Sequence, residues 1–580
     1  MFFLKIGANG FKKKNIIFIE NFIDPITKIE IKSNGFKSEI FNVHDTKNKI
    51  SNDIKISQKI YLKLIKKIKF QIEKFYKIKI NYKIIHLIFS KWLYYYISNC
   101  YYKYKILLNI KKKYPKFSLI EIENQNITEE DKLLYSPDST ILNFKLLKDV
   151  GKCLNIDTVK IELARIRKIA VFISTPKDKR NIFSISNYIK SLFSILSIKI
   201  SKFMHNSSVQ IHDDTLSFFN ILKIIFKSRF KYSYLYFVEN NFIKAKISDP
   251  KIFIAKIKSD NFIEKMLLQN FLDYIPNGIH VLIEYYKNNI QDKKIKKNRD
   301  IIVSKRFFAA GYLNFKKFII KNFANSVLIA YQHGGLYGQE KNFFPEKAEI
   351  LVTDYFATWG WKSKKTLPLP LPFDLVEVDN KKSQVKNDCL FVTISSSYNF
   401  LSYQKNLEMI PGHSMKQTFD LLLKISKKIP VTLRLPPYKH IWREREYFKK
   451  IKELKIDNHK KNFKHMASKS KFVIHNHFNT TALETLALNI PTLIFSDKKS
   501  LEFNHKAEKD LKKLIKAKIF FYNHLDLLNF LKKNNFDLEL WWNKKKVQDA
   551  RKSFCETYAY TRTNWSKDWL LKLKTIKTSI

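Results

Sequence analysis

Apolar side chains recur at Tyr61, Leu64, Ile65, Ile68, Ile72 and Phe75, within a stretch running from about residue 54 to 80. Three-and-four spacing places such residues on one stripe of a helix, and the opposite face here is rich in lysine. The spacing predicts an amphipathic surface helix, with attachment to a membrane surface as the sharper alternative. Asn81–Tyr104 is aromatic-rich and reads as a second helix with Trp92 and Tyr94–Tyr96 packed inside. From about Lys168 the rhythm changes to short apolar runs separated by segments of helix length. Ala170–Ser174, Leu235–Val238, Ile279–Glu284, Ile301–Ser304, Val327–Tyr331 and Ile350–Asp354 read as buried strands. Tyr312–Phe323 fits the crossover helix of a βαβ unit, which implies a parallel sheet.

Leu367-Pro368-Leu369-Pro370-Leu371-Pro372 then interrupts the pattern. Alternate prolines neither continue a helix nor donate ladder hydrogen bonds, so an extended connector and domain boundary are expected there. Beyond it the alternation restarts. Strands are expected at Cys389–Ile394, Val431–Leu435, Phe472–His475 and Thr492–Phe495. Helices are expected at Met415–Lys428, Trp442–Lys452 and Ala482–Leu488, with a late one carrying Trp541, Trp542, Val547 and Phe554. The architecture implied is α/β, with two Rossmann-like doubly wound domains spanning 1–372 and 373–580. A helical elaboration occupies about 50–150. Ligands of such sheets sit beyond the carboxyl ends of the strands, so the loops there are where chemistry is sought.

Composition narrows the class. A chain of 580 residues that is 45% hydrophobic and 15% aromatic can bury a large core, which excludes wholesale disorder. With 11 Gly and 15 Pro, collagen-like and linker-dominated designs are also out. The net charge of +55 comes from lysine far more than from the eleven arginines. This pattern reads as the codon bias of an AT-rich genome, with a nucleic-acid footprint as the alternative. Either way, nonspecific attraction to anionic lipid follows. The four scattered cysteines form neither a disulfide framework nor a zinc finger. The apolar N-terminus is broken at Lys5, unlike a signal peptide. The longest uncharged apolar runs, around Ile84–Ile97 and Leu192–Ile200, are cut by Lys91 and Lys199, too short to span a bilayer. A cytoplasmic protein, peripheral at the inner face of the plasma membrane, is expected.

Four constellations could carry chemistry. Gln332-His333-Gly334-Gly335-Leu336-Tyr337-Gly338 concentrates three of the eleven glycines after a strand. Its backbone could approach a ligand closely or cradle an anion, with His333 placed for proton transfer. Asp354-Tyr355-Phe356-Ala357-Thr358-Trp359-Gly360-Trp361 offers tryptophans that could stack on a sugar or base, but is read as interdomain core. Arg434, before Leu435-Pro436-Pro437, suits either a phosphate fork or an ion pair with Glu444 or Glu446. Finally, His475–Glu484 combines a strand end, a polar loop and a helix start. Thr481 and Glu484 fit a capping box. Thr480, Thr481 and the helix N-terminus equally fit a phosphate site, with Glu484 holding ribose hydroxyls. Ser395-Ser396-Ser397 is a weaker phosphate candidate. His475 and His477 lack an evident third metal ligand, and no DxD, Walker A, GxGxxG, GxSxG or HExxH motif occurs.

Taken together, QHGGLYG (332–338), TDYFATWGW (353–361), TTALETLALNIPTLIF (480–495) and LWWNKKKVQDARKSF (540–554) resemble a family of transferases encoded in O-antigen and other surface-polysaccharide clusters. That family is similar to two-Rossmann (GT-B) enzymes, including capsule-type sugar transferases and the glycerophosphate polymerases of teichoic acid synthesis. The resemblance implies an inverting, metal-independent glycosyltransferase without a cofactor. It would take a nucleotide-sugar donor and a glycan or lipid-linked glycan acceptor, and bind no specific nucleic acid. It implies His333 as general base, and the constellations above give Gly334, Gly335, Tyr337, Gly338, Arg434, Thr480, Thr481 and Glu484 as the expected binding residues. A glycerophosphotransferase-like polymer synthase and, in a different class, a basic nucleic-acid-binding protein remain alternatives.

Overall fold

A computed structural model of the chain describes residues 2–5, 16–19, 25–33, 35, 37–39, 47–122, 140–161, 185–205, 208–212, 218–237, 257–289, 299–309, 313–371, 388–394, 411–436, 443–496 and 502–578. The expected strand Ala170–Ser174, the serines 395–397 and Pro437 lie outside these residues.

The first 161 residues hold more than helices. Strands β1 (Phe2–Lys5), β2 (Ile16–Ile19), β3 (Lys37–Glu39), β4 (Phe117–Ile122) and β5 (Asp157–Ile161) form a mixed sheet in the order β3-β2-β1-β4-β5. Between β3 and β4 run two long helices, α1 (Lys47–Tyr76) and α2 (Tyr82–Lys113). The apolar stripe of α1 is fully buried from Tyr61 to Ile72, so the helix packs by that stripe and wets its lysine face. Asn81 caps α2, accepting from Lys83 N–H at 2.9 Å. This helix is central: Trp92 Nε1 donates to Tyr274 O (3.1 Å), and Tyr96 Oη donates to Leu267 O (2.7 Å).

A second sheet contains β6 (Val209–His212), β7 (Tyr232–Tyr234), β8 (Asp300–Ser304), β9 (Ser326–Tyr331), β10 (Tyr355–Thr358) and β11 (Thr366–Pro368). All are parallel, in the order β7-β6-β8-β9-β10-β11. Leu235–Val238, expected as a strand, is not one over its described residues 235–237: β7 ends at Tyr234, just before that run, and Val238 lies outside the described residues. Helix α3 (Ile185–Met204) precedes the sheet. Ile279–Glu284, expected as a strand, lies in helix α4 (Asn277–Asn289), while α5 (Leu313–Asn322) is the anticipated crossover. Ile350–Asp354 is not a strand either. Helix α6 (Phe344–Val352) runs through it, and the strand begins at Tyr355. Short apolar runs do not distinguish a buried helix from a buried strand. The first part of the proline segment pairs as edge strand β11, where missing donors are tolerated, and Pro372 lies outside the described residues.

The third sheet comprises β12 (Cys389–Val392), β13 (Val431–Arg434), β14 (Leu454–Ile456), β15 (Phe472–His475), β16 (Thr492–Phe495) and β17 (Phe520–Phe521). It is parallel throughout, in the order β14-β13-β12-β15-β16-β17. In sequence rank that is 3-2-1-4-5-6, the Rossmann order, while the second sheet runs 2-1-3-4-5-6. The chain thus carries two doubly wound Rossmann-like sheets, the GT-B arrangement. Helix α7 (Thr480–Ala487) follows β15. The last described helix, α8 (Trp565–Thr578), returns to the second sheet. It buries Trp565, Trp569, Leu573 and Ile576 against Val209, Ile301, Ile329 and their neighbours.

Candidate functional site

The loop after β9 is folded by its own glutamine. Fully buried Gln332 accepts through Oε1 from the Trp359 N–H (3.0 Å) and Trp361 Nε1 (2.8 Å), and donates through Nε2 to Gly334 O (2.9 Å). Both tryptophans are buried, so they brace the loop as core. Gly338 has φ +71°, and a Cβ there would lie 2.5 Å from the Trp361 ring. Gly335 is required for a different reason. Its Cβ would meet Asn479 C and Thr480 N at 2.6 Å, the backbone at the start of α7. The glycine loop of one sheet therefore seats directly on a helix N-terminus of the other. Gly335 N–H donates to Thr480 Oγ1 (3.1 Å), and Gly338 N–H to Glu346 Oε2 (2.6 Å). These two amides, expected to face an anion, are engaged within the protein.

His333 leaves the carboxyl end of β9 with 36% of its side chain exposed. Burial pushes its imidazole down to about 4, and the nearby cations Lys305, Arg306 and Lys91 act in the same direction. It is therefore neutral at pH 7. Tyr337 Oη lies 3.2 Å from His333 Nε2 and donates to Glu349 Oε2 (3.1 Å). Glu349 Oε1 is 3.9 Å from His333 Nδ1. Glu349 is completely buried, which holds its carboxyl well above the usual range. Glu346, one turn earlier, is pushed up to about 7 by burial. Tyr337, expected at a substrate, is thus a buried support for His333. Lys305 and Arg306 follow β8 directly, and Ser304 at its end receives the Arg306 N–H and contacts His212 Nδ1, each at 3.0 Å. Lys91 comes from α2, over the rings of Tyr95 and Phe308 at 5.8 Å.

Across the contact, the N-cap of α7 is Asn479, which accepts from Thr480 N–H at 2.7 Å. The expected capping box of Thr481 with Glu484 is not formed. Thr481 Oγ1 instead sits 3.5 Å from His475 Nδ1 and 3.4 Å from His477 Nε2. His475 is fully buried, contacts Thr485 Oγ1 at 3.1 Å, and is held well below the usual histidine range by burial. Glu484 makes no side-chain hydrogen bond or ion pair among the described residues, and burial raises its carboxyl to about 7. The far end of α7 is held by the 540–554 segment. Buried Arg551 donates to Leu486 O (2.9 Å), and Trp542 Nε1 to Asn489 Oδ1 (3.0 Å). Arg434 ends β13 at the same edge of the third sheet, with Val392 of β12 between it and His475. It pairs with Asp457, rather than with Glu444 or Glu446, and donates to Lys461 O (3.2 Å).

His333, Gly335 and Thr480 are thus brought together, with Glu484 one turn further along α7. Sequence reasoning missed Glu346 and Glu349, two acids three apart with Lys347 between them, because only Ile350–Asp354 was assigned in that stretch, as a strand. Lys91 and Lys305 were lost in the general lysine excess, and Arg306, though one of only eleven arginines, was passed over because it lies outside the four constellations. No group of three or more His, Cys, Asp or Glu placed to hold a metal occurs among the described residues.

The model of the LIC12162 family transferases matches residues 3–573. The chain belongs to this family. It is accordingly a transferase, and the fold and glycine-loop geometry above are those of a family member. No curated protein matches it. Among solved structures, the Staphylococcus aureus MnaA–UDP complex is 11% identical over 64% of this chain and 97% of that one, with a TM-score of 0.37. A variant of the wall teichoic acid polymerase TagF is 12% identical over 69% and 99%, at 0.35. The Methanocaldococcus jannaschii UDP-GlcNAc 2-epimerase with UDP-GlcNAc and UDP is 12% identical over 64% and 99%, at 0.34. At such scores these likenesses add nothing to the sheet topology already described.

Proposed function

We propose that this transferase moves a sugar from a nucleotide-sugar to a surface-polysaccharide acceptor of O-antigen or capsule type, with inversion and without a metal. Residues 373–580 take the donor and 1–372 the acceptor, glycan or lipid-linked, at an anionic membrane surface in the cytoplasm. The observation that carries the reading is the meeting of Gly335 with Thr480. It sets a neutral histidine from one sheet's carboxyl edge beside a helix N-terminus from the other.

In this scheme His333 removes the proton of the acceptor hydroxyl as the glycosidic bond forms. Tyr337 and Glu349 hold its ring in place. The departing nucleotide takes the electron pair of the broken bond on its phosphate oxygen, and its charge is met by the N-terminus of α7 with Thr480 and Thr481. Lys305, Arg306 and Lys91 add positive charge on the acceptor side. Glu484 receives the ribose hydroxyls, and Arg434 reaches the phosphates only if its pair with Asp457 opens. That cationic setting favours one second reading, transfer of a glycerophosphate, in which the transferred group is itself anionic.

Thermal unfolding with CMP-, UDP-, GDP- and dTDP-sugars, and with CDP-glycerol, tests both. One nucleotide should stabilise the wild type, by about 2.7 kcal/mol at about 100 Kd, and Glu484→Gln should weaken that effect. Stabilisation by CDP-glycerol alone would select the second reading. No response to any nucleotide, or an equal response in Glu484→Gln, would sink the donor site.

A further inference from the structure

Helix α3 is amphipathic the wrong way round. Ser194, Ser197 and Ser201 are its buried positions, turned toward the protein. The first two satisfy the edge of the second sheet. Ser194 Oγ donates to Tyr234 O (2.9 Å) and accepts from Tyr236 N–H (3.0 Å), while Ser197 Oγ accepts from Tyr234 N–H (3.1 Å). β7 is an edge strand, and an edge needs its free backbone groups covered. The serines explain how the helix lies there with polar residues at its buried positions, flanked by the partly buried Phe193 and Ile198.

The opposite face carries Tyr188, Leu192, Ile195, Leu196 and Phe203, 66, 49, 52, 55 and 93% exposed. At 3.6 residues per turn these share one stripe. Phe226, 60% exposed, extends the apolar surface onto the helix Phe218–Lys227. His205, just past α3, is tied by Nε2 to Arg229 O at 2.9 Å, which brings the two helix ends together. Among the described residues of these two helices the charges have one sign. α3 contains no acid, Lys199 and Lys202 are exposed along the stripe, and Lys227 and Arg229 are exposed at the second helix. No described helix is long and apolar enough to cross a membrane.

We propose that α3 is a membrane-docking helix that lies in the interface of an anionic bilayer, with its apolar stripe in the acyl boundary and its lysines at the headgroups. Large apolar side chains with interspersed cations and no anions are the chemistry an anionic lipid surface recognises. A protein partner of matching shape would need acids set into an apolar groove, a narrower requirement. The inference rests on the membrane part of the reading above and locates it. Attachment is then not electrostatic alone, as composition suggested, since an inserted stripe resists salt where exposed charge pairs do not.

The test uses the full chain with phosphatidylglycerol/phosphatidylcholine vesicles and no nucleotide. Wild type should co-sediment in about 0.1 M salt and retain binding in about 1 M, where screening reaches about 3 Å. Leu192→Ser/Ile195→Ser should lose at least tenfold in high-salt affinity with unchanged thermal unfolding, since both side chains are half exposed. Lys199→Gln/Lys202→Gln should weaken mainly low-salt binding. Phe203→Trp, at the most exposed position, supplies a reporter whose emission should shift to the blue only when anionic vesicles are added. Equal vesicle binding by the Leu192/Ile195 variant and wild type would overturn α3 as the anchor while leaving membrane attachment intact. A wild type that binds no vesicles would overturn both, and neither result touches the sugar-transfer assay. Two further outcomes would assign the stripe to the chain itself or to a second copy, and the proposal would fall. One is emission from the introduced tryptophan that is already blue and indifferent to lipid. The other is concentration-dependent dimerisation abolished by Leu192→Ser/Ile195→Ser.

Discussion

His333 is neutral at pH 7 for two reasons that respond differently to substrate. Burial stays, but the opposing charges of Lys305, Arg306 and Lys91 are offset when an anionic substrate arrives. Its basicity should therefore rise on binding. Two limbs follow. The acid limb of kcat/KM, which reports the free enzyme, should fall near pH 4 rather than near 6.5, and the limb of kcat should lie higher. A pH–rate profile with both limbs near 6.5 would contradict this. His333→Ala should lower kcat by roughly 10²–10⁴-fold with donor affinity nearly unchanged, and His333→Asn should be almost as damaging, because it cannot take the proton. Near-normal activity in the Asn variant would reduce His333 to a turn residue. The histidine was legible in the sequence because glycine is scarce and clusters behind it. The residues that tune it were not: Glu349 matters through complete burial, and burial is a property of the packed fold.

Among the elements, α7 shows how a local rule can be right in kind and wrong in place. A polar cap was expected at Thr481 with Glu484, whereas Asn479 provides it two residues earlier and leaves the glutamate without a partner among the described residues. Asn479→Ala should cost about 1 kcal/mol, measurable by chemical denaturation. Glu484 has its folded-state carboxyl raised to about 7 against an ordinary value near 4.5. The folded protein thus binds the extra proton between these values. The associated stability is present below about pH 4.5 and lost as pH rises through about 7. Glu484→Gln should match wild type at the low end and exceed it above pH 7, by about 1–3 kcal/mol. A variant less stable than wild type at about pH 8 would show that the carboxylate supports the helix. Elsewhere the signals were ambiguous at source. Ile279–Glu284 and Ile350–Asp354 are apolar enough for a strand, yet lie in or run out of buried helices. The five-stranded N-terminal sheet is built from strands of three to six residues, too brief to give a clear period beside two helices of about thirty.

For the whole molecule, the alternation of short runs and helix-length segments did reveal two doubly wound sheets, since that periodicity is dictated by parallel strands needing crossovers. The partner of each face could not be read in the same way. Trp569 Nε1 donates to Pro370 O (2.9 Å), and its ring meets Tyr331 edge-on with centroids 6.0 Å apart. Residues far apart in the chain thus close one layer. A chain ending before Trp565 should expose that layer, bind a hydrophobic dye and unfold at lower temperature. A truncated protein with wild-type melting and no dye binding would contradict the packing role of α8. This same return of the chain sets an order of events during synthesis. The sheet holding His333 leaves the ribosome well before the helix that covers it, so the scaffold of the histidine loop waits unfinished while the entire third sheet is made. Folding of the second sheet is therefore completed by a helix made after the third, and a message interrupted between them yields a product whose uncovered face is what chaperones and proteases recognise.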